Sequence, residues 1–377
     1  MIYLDHSATS FPKLKEVKQA VLESMDLCGN AARSMSKPAM DANYLIYETR
    51  ELLAKYFHVS DSSKVIINSG NTESLNTIIK GILKSGDHVI TTYAEHNSVL
   101  RPLYQLERDQ KIQITFTHPD VKSVKNAILE NTKMIIVTHS SNVTGEVYPI
   151  AEIGELAHEK GILMVSDVAQ SAGHIDIDMV RDHLDIITFS GHKGLLGIQG
   201  IGGFCVEGDI AIEPLISGGV GHHSYDHFQM NTYPERVEAG TRNLAGIASL
   251  KAGITYLLEH QSNINQHNEY LTKILEAGLK SIEGVILYSS TSQPHTPIVA
   301  FNIGIRDSQE IEGLLNLKYE VACRAGAHCA PKMHEHLGTV NQGVVRFSIG
   351  MSNTLEQIQQ VIQIIQEIVE EGKKDDH

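Results

Sequence analysis

The chain of 377 residues lacks the features that would tie it to a membrane or to nucleic acid. It has no apolar run near the ~18 residues of a membrane-spanning helix. Its first residues, MIYLDHSATSFPK, lack the basic and apolar regions of a signal peptide. Its net charge is −14, whereas nucleic acids and anionic membranes attract basic surfaces. We therefore expect a cytoplasmic protein that binds neither nucleic acid nor membrane.

Cysteine is scarce as well. The four cysteines are Cys28, Cys205, Cys323 and Cys329, and their spacing matches no zinc template. In a reducing compartment free thiols are the expected state. The sequence therefore predicts neither a disulfide framework nor a metal site built on cysteine.

Apolar runs rich in β-branched residues alternate with helical patterns between about residues 40 and 255. The runs cover 88–94, 133–140, 161–169 and 184–191, and helical spacing covers 72–84 and 150–160, with Gly86 and Gly161 as stop signals. This alternation is typical of an α/β domain with a buried, mostly parallel sheet.

The last third of the chain has a different pattern. Helical segments at 248–283 and 354–371 flank short strand patterns at 285–289, 297–303 and 344–350. The length allows about two domains. We predict a large domain over 22–255 and a smaller α+β domain formed by 1–21 and 256–377.

Two polar residues follow neighbouring strand patterns. Asp167 ends the strand predicted within the run 161–169, and Lys193 follows the run 184–191, one βαβ step later. Ligands of open parallel sheets bind beyond the carboxyl ends of the strands, so both side chains are expected at one sheet edge. The pair could be a plain ion pair, but Ser190, His192 and the adjacent glycines favour a pyridoxal phosphate site.

Pyridoxal phosphate makes distinct chemical demands. Its aldehyde needs a lysine amine to form an imine, and its ring nitrogen needs a carboxylate partner. Lys193 would form the imine and Asp167 would hold the ring nitrogen. Gln170 and Asn142, the latter in THSSNVTGE, could donate hydrogen bonds to the phenolic oxygen.

The phosphate group needs hydroxyls and a helix N-terminus. In NSGNTESLN (68–76) a glycine-containing turn leads into a helix, so Asn71, Thr72 and backbone N–H groups could bind it, with Ser190 and His192 completing the site. Taken alone, the segment could equally be an ordinary capped helix. His96, in YAEHNSV, could stack on the ring or be a simple loop residue.

These segments together resemble the class V aminotransferases, and within them the cysteine desulfurases and selenocysteine lyases. The resemblance covers nearly the whole chain. It rests on D-x-x-Q followed by S-G-H-K, on R-x-G-x-H-C, and on their order with YLDHSATSFPK (3–13), VEAGTRN (237–243) and RAGAHCAP (324–331).

The resemblance implies a fold-type-I pyridoxal-phosphate transferase that forms a homodimer with active sites at the subunit interface. It implies that His96 stacks on the cofactor ring and helps proton transfer, and that Asn142 and Gln170 contact the phenolic oxygen. Thr241 would reach the phosphate in the other subunit's site.

The resemblance also assigns residues to the substrate. Arg346, in VVRFSIG, would bind its carboxylate, because a guanidinium fork matches a carboxylate, and Asn142 and Arg324 would lie beside it. A structural ion pair is the alternative for Arg346. Cys329 would be the sulfur-accepting nucleophile, with Arg324 and His328 activating its thiol. A buried inert thiol is the alternative for Cys329.

The implied reaction converts L-cysteine to L-alanine and leaves a persulfide on Cys329, which passes to an acceptor protein or a small thiol. Lys193 or His96 would take the α-proton. Three alternatives stay open: an L-selenocysteine lyase, an aminotransferase of the same fold, and a non-catalytic carrier protein. The Asp167, Gln170 and Lys193 set argues against the carrier.

Two segments depart from the family pattern. In CGNAARSMSK (28–37), Ser36 stands where the family commonly has a histidine, and Ala31 where it has a proline. We therefore expect substrate positioning to differ. The loop 218–227 holds His222, His223 and His227, but no accompanying carboxylate or thiolate spacing supports a metal site there.

Overall fold

A computed structural model describes residues 1–31, 34–109 and 111–375. The strands are β1 (Ile2–Tyr3), β2 (Val65–Asn68), β3 (Asp87–Thr92), β4 (Ile112–Thr117), β5 (Thr132–Thr138), β6 (Leu163–Asp167), β7 (Ile186–Ser190), β8 (Gly202–Val206), β9 (Val285–Leu287), β10 (Ile298–Ile303), β11 (Val321–Ala322), β12 (Arg324–Gly326) and β13 (Val344–Ser348). The helices are α1 (Lys15–Leu27), α2 (Lys37–Phe57), α3 (Asn71–Ile82), α4 (Asn97–Arg108), α5 (Val121–Ala127), α6 (Ile150–Glu159), α7 (Leu244–Lys280), α8 (Ser308–Tyr319), α9 (Pro331–Leu337) and α10 (Leu355–Asp375), with a 3-10 turn at Ser62–Lys64.

The chain divides into two compact units. The larger unit comprises Lys13–His139 and Tyr148–Glu259, and the smaller unit comprises Met1–Pro12, Ser140–Val147 and His260–His377. The boundaries expected from the sequence, at 21/22 and 255/256, stay a prediction.

The larger unit is built on a seven-stranded sheet with the order β2-β8-β7-β6-β5-β3-β4. Strands β7, β6, β5, β3 and β4 pair in parallel, and the continuous apolar runs predicted this for β3, β5, β6 and β7 but not for β4. The runs 88–94, 133–140, 161–169 and 184–191 contain β3, β5, β6 and β7, and the predicted helices correspond to α3 and α6, so these predictions are confirmed.

Four adjacent parallel strands end at one edge of this sheet. Their last residues are Thr92 of β3, Thr138 of β5, Asp167 of β6 and Ser190 of β7. Since parallel strands share a direction, polar groups that follow them collect at a single edge. We call this the carboxyl edge of the sheet.

Strand β8 runs antiparallel to both β2 and β7, and no strand was predicted there from the sequence. Its glycines explain its close packing against β2 and its missing strand pattern. A Cβ on Gly203 would lie 2.0 Å from the carbonyl oxygen of Ile66, so only glycine lets β2 approach this closely. Glycine is otherwise depleted in strands, and the segment GGFCV therefore lacks a strand pattern.

The smaller unit contains an antiparallel sheet with the order β12-β13-β10-β9 and a parallel pair of β1 with β11. Its core includes Phe301 and Phe347 from the sheet and Leu275 from α7. The predicted strands 285–289, 297–303 and 344–350 correspond to β9, β10 and β13 and are confirmed. Over the part of the chain described, no helix is both long and apolar enough to cross a bilayer.

Candidate active site

A buried carboxylate stands at the carboxyl edge of the larger unit's sheet. Asp167 is 4% exposed, and its Oδ1 accepts hydrogen bonds of 2.9 Å from the Asn71 Nδ2 and the Ala169 backbone N–H. Burial raises the pKa of Asp167, while the Ala169 bond, the nearby Lys193 ammonium and the Asn71 bond oppose that rise. Asp167, Asn71 and Lys193 therefore belong to one electrostatic cluster. The positions of Asp167 and Lys193 after neighbouring strands predicted that these two side chains would meet.

Lys193 lies in a tight turn after β7. A Cβ on Gly194 would be 2.1 Å from the Ala172 carbonyl oxygen, and one on Gly191 would be 2.9 Å from the Ile201 carbonyl oxygen. Gly191 and Gly194 must therefore be glycine for the chain to pack here. This packing fixes the backbone that carries the Lys193 amine.

A second lysine, Lys13, reaches the same turn. Its Nζ donates a 2.9 Å hydrogen bond to the carbonyl oxygen of His192. Burial lowers the pKa of Lys13 to about 8. Burial, followed by the charges of Lys193 and Lys13, lowers the pKa of His192 to about 4, so the His192 imidazole is neutral at pH 7. The sequence pattern indicated no role for Lys13, the last residue of the segment YLDHSATSFPK.

Helix α3 presents a free N-terminus near Asp167. Its N-cap is Gly70, with φ 149°, and no side chain caps it. The first backbone N–H groups of a helix have no intrahelical acceptor, and the helix dipole favours an anion there. Asn71 and Thr72 are the first two residues of α3, and Thr72 is exposed. The Asn71 Oδ1 is buried with no hydrogen-bond partner among the described residues.

The other predicted cofactor residues of this unit lie on or beside the same edge. Ser190 ends β7 and is buried, and the buried Gln170 comes three residues after Asp167. His96 is the N-cap of α4, and its Nδ1 accepts a 3.1 Å bond from the Ser98 N–H. That bond fixes the ring orientation of His96 at the end of β3.

Thr241 stands elsewhere in the larger unit. It lines a cavity of about 180 Å³ together with Ala31, Arg50, Glu238 and Arg242. Glu238 is buried and forms ion pairs of 2.5 Å with Arg50 and 3.3 Å with Arg242. None of the other predicted cofactor residues lines this cavity.

In the smaller unit, Arg346 on β13 is buried at 1% exposure. Its Nη2 pairs with the Asp5 carboxylate at 2.8 Å, and its Nη1 donates at 2.8 Å to the Asn142 carbonyl oxygen. Its Nε has no hydrogen-bond partner among the described residues. The ion pair that the sequence left as an alternative is therefore present, and the substrate role of Arg346 stays a prediction.

Cys329 is exposed on the loop between β12 and α9. His328 and Cys329 both have left-handed backbones, with φ of 46° and 57°, which costs side-chain-bearing residues about 1–2 kcal/mol each. Asn142 Nδ2 donates to the His328 carbonyl oxygen at 2.7 Å, and the His328 Nε2 donates to the Val344 carbonyl oxygen at 3.0 Å. These bonds hold the loop in a conformation that presents the thiol outward.

The Arg324 Nη2 lies 3.9 Å from the Cys329 Sγ. Burial is the main factor that lowers the pKa of His328, to about 2, so its imidazole is neutral. The expectation that His328 supplies positive charge to the thiol is therefore wrong, and Arg324 is the cation beside Cys329. Cys329 is exposed, so the alternative of a buried thiol is wrong, and its reactivity stays a prediction; Cys205 and Cys323 are buried.

The two segments that depart from the family pattern have different surroundings. Ser36 is exposed and is the N-cap of α2. In the histidine-rich loop, His222 lies 3.8 Å from Glu235 and His223 lies 3.3 Å from Asp226, so these two histidines face different carboxylates.

Comparison with known proteins identifies the family. The sequence model of aminotransferase class-V matches residues 2–361. The chain belongs to the aminotransferase class-V family. A protein of Methanothermobacter thermautotrophicus named "Probable cysteine desulfurase" is 31% identical over 384 residues, which span 98% of this class V chain and 95% of that protein.

Solved structures agree with this class V assignment. A structure titled as the apo form of a cysteine desulfurase from Thermococcus onnurineus NA1 has a TM-score of 0.91 and 30% identity, covering 98% of this chain and 94% of that one. The cysteine desulfurase CsdA of Escherichia coli, in a structure titled S-sulfonic acid, has a TM-score of 0.88 and 27% identity, with the same coverage. The chain therefore has the α/β fold of these enzymes, as the sequence predicted.

Proposed function

We propose that this class V protein is a pyridoxal-phosphate-dependent cysteine desulfurase that converts L-cysteine to L-alanine. The observation that carries the proposal is the buried Asp167 carboxylate in the electrostatic field of Lys193. Near-full-length similarity to proteins named cysteine desulfurase supports the choice of reaction.

The residues of the larger unit fit pyridoxal phosphate. Asp167 supplies a buried anion for the ring nitrogen, and Lys193 supplies the amine for the aldehyde. Asn71, Thr72 and the uncapped N-terminus of α3 would hold the phosphate. The orphaned Asn71 Oδ1 supports the fit, because a buried acceptor without a donor is rare in a completed site.

The remaining contacts follow the family resemblance. Ser190 and His192 would add donors to the phosphate, while Gln170 and Asn142 would contact the phenolic oxygen. His96 would stack on the ring. Thr241 would complete the phosphate site of a second subunit, and the proposal therefore includes a homodimer.

When bound, pyridoxal phosphate withdraws electrons from the substrate's α-carbon and so makes the α-proton acidic. The amine of Lys193 or the imidazole of His96 would take that proton. Arg346 and Arg324, in the smaller unit, would bind the substrate carboxylate. Asn142 would lie beside them.

Cys329 then acts as the sulfur acceptor. Its thiolate attacks the sulfur of cysteine, the carbon–sulfur bond breaks, and a persulfide forms on Cys329, while the β-carbon and the α-carbon each gain a proton and the product leaves as alanine. The Arg324 guanidinium near the Cys329 Sγ favours the thiolate. Exposure of the thiol permits transfer of the outer sulfur to a small thiol or an acceptor protein. A reactive thiol must stay reduced, and we therefore include a cytoplasmic setting in the proposal.

The replacement Cys329→Ser tests this proposal. We expect alanine formation from L-cysteine to fall about 100-fold or more, because serine cannot accept the sulfur. The matched control is Cys28→Ser, which changes the partly buried thiol at the end of α1 and should leave the rate unchanged. Alanine would be quantified by mass spectrometry, and the persulfide by labelling of the intact protein.

The same assay with L-selenocysteine separates the alternatives. Selenide release that survives in Cys329→Ser would indicate a selenocysteine lyase. Undiminished sulfide release from cysteine in that variant would exclude the persulfide mechanism. An aminotransferase would instead convert the bound cofactor to its amine form when mixed with an amino donor alone.

A further inference from the structure

A second carboxyl group is buried beside Asp167. Glu95 lies between β3 and α4 and is 0% exposed. Its Oε1 accepts a 2.7 Å bond from the Thr92 Oγ1 and a 2.9 Å bond from the Thr138 backbone N–H. Its Oε2 is buried and has no hydrogen-bond partner among the described residues.

Among the residues that the structure describes, the groups that bond to Glu95 or act on its charge carry no positive charge. Thr92 of β3 and Thr138 of β5 are neutral donors, and the next residue, His96, directs its Nδ1 to Ser98. The charged group of β6 is Asp167, whose negative field disfavours a negative charge on Glu95. A buried carboxylate with an unsatisfied oxygen and an anionic neighbour would be strongly unfavourable.

We propose that Glu95 is held as a neutral carboxylic acid, so that of these two buried carboxyl groups Asp167 alone carries a negative charge. Glu95 is then a positioning residue. It joins the ends of β3 and β5 through Thr92 and Thr138 and fixes the backbone that carries His96. Its importance for the cofactor rests on the proposed function, whereas its protonation state is a property of the folded chain itself.

Infrared difference spectroscopy of the full-length protein tests the protonation directly. The spectrum of the wild type minus that of Glu95→Gln at pH 7 should contain the carbonyl band of a protonated carboxyl group, shifted in deuterated buffer. A difference spectrum with only carboxylate bands would overturn the proposal. The control is Glu130→Gln, which removes an exposed carboxylate and should show only ionised bands.

The pH dependence of stability gives a second readout. Burial raises the pKa of Glu95 from 4.5 to about 8, and the field of Asp167 adds to this. Between these values the folded state binds more protons than the unfolded state, so the stability of the wild type falls as pH rises. Glu95→Gln cannot titrate and should gain stability relative to the wild type from pH 4.5 to about 8. A pH-independent difference between the two would contradict a neutral Glu95.

Cofactor spectra separate this proposal from the proposed function. With pyridoxal phosphate added, Glu95→Gln should keep the pH midpoint of the cofactor's visible absorption, since glutamine replaces one neutral group by another. A shift of about one pH unit would mean that a charge had been removed, and would overturn the proposal. A chain that takes up no cofactor but shows the protonated band would refute the function and leave the Glu95 inference intact.

If Glu95→Gln does not fold, an infrared pH titration of the wild type replaces the difference spectrum. A protonated-carboxyl band that is present at pH 7 and disappears above pH 8 supports the proposal. A band that persists above pH 8, or that is absent at every pH, opposes it.

Discussion

Replacing Lys193 with alanine should abolish the visible absorption of the cofactor-loaded protein and lower alanine formation by about 1,000-fold or more. The amine of Lys193 would be both the covalent anchor of the cofactor and a base for the α-proton. Its field also lowers the pKa of Asp167, so the variant should leave Asp167 harder to ionise and the cofactor more weakly bound. Absorption spectra and a cofactor titration measure both effects.

A second amine complicates the interpretation of this experiment, because the Nζ of Lys13 reaches the turn that carries Lys193. Its Nζ is bonded to the His192 carbonyl oxygen, so we expect no rescue by Lys13. Borohydride reduction of the wild type followed by peptide mapping should place the cofactor on Lys193. Labelling of Lys13, or a Lys193→Ala variant that keeps its colour, would contradict the assignment. Lys122→Ala, on the exposed face of α5, is the matched control.

The second large effect concerns stability. The replacement Asp5→Ala should lower the free energy of unfolding by about 3–5 kcal/mol, because it leaves the Arg346 guanidinium buried without its anion. Denaturant unfolding of the purified protein measures the change. Asp5→Asn should cost less, since its amide oxygen can still accept the bond from the Arg346 Nη2.

An exposed ion pair of the same unit is the control for Asp5. Glu310, on α8, pairs with Arg306 and is 56% exposed. Glu310→Ala should therefore lower the free energy of unfolding by less than about 1 kcal/mol. Equal losses for Asp5→Ala and Glu310→Ala would mean that the Arg346 ion pair contributes no more than a surface pair. That result would also strengthen a purely substrate-binding role for Arg346.

The clustering of Asp167 and Lys193 could be predicted because it follows from local pattern. Apolar β-branched runs identify buried parallel strands, and the residues after such strands meet at one edge regardless of the rest of the fold. The strands β3, β5, β6 and β7 were found in this way. The helix α3 and the glycine-containing turn before it could be predicted for the same reason, since the residues that indicate them are adjacent in the sequence.

The partners of these residues could not be predicted in this way. Asp5 and Arg346 are 341 positions apart, and their contact depends on how β13 lies against the N-terminal segment. The burial of Glu95 depends on Thr138 of a neighbouring strand. His328 looked like a cation near Cys329, but burial keeps it neutral, and burial is a property of packing rather than of spacing.

The smaller unit is assembled from three separate stretches of chain, and this has a consequence for biosynthesis. Strand β1 at Ile2–Tyr3 pairs with β11 at Val321–Ala322. At roughly 5–20 residues per second, the ribosome needs tens of seconds to make the intervening polypeptide. Strand β1 must therefore wait for β11 before it can pair, and the larger unit, whose last stretch ends at Glu259, is synthesised before that pairing is possible.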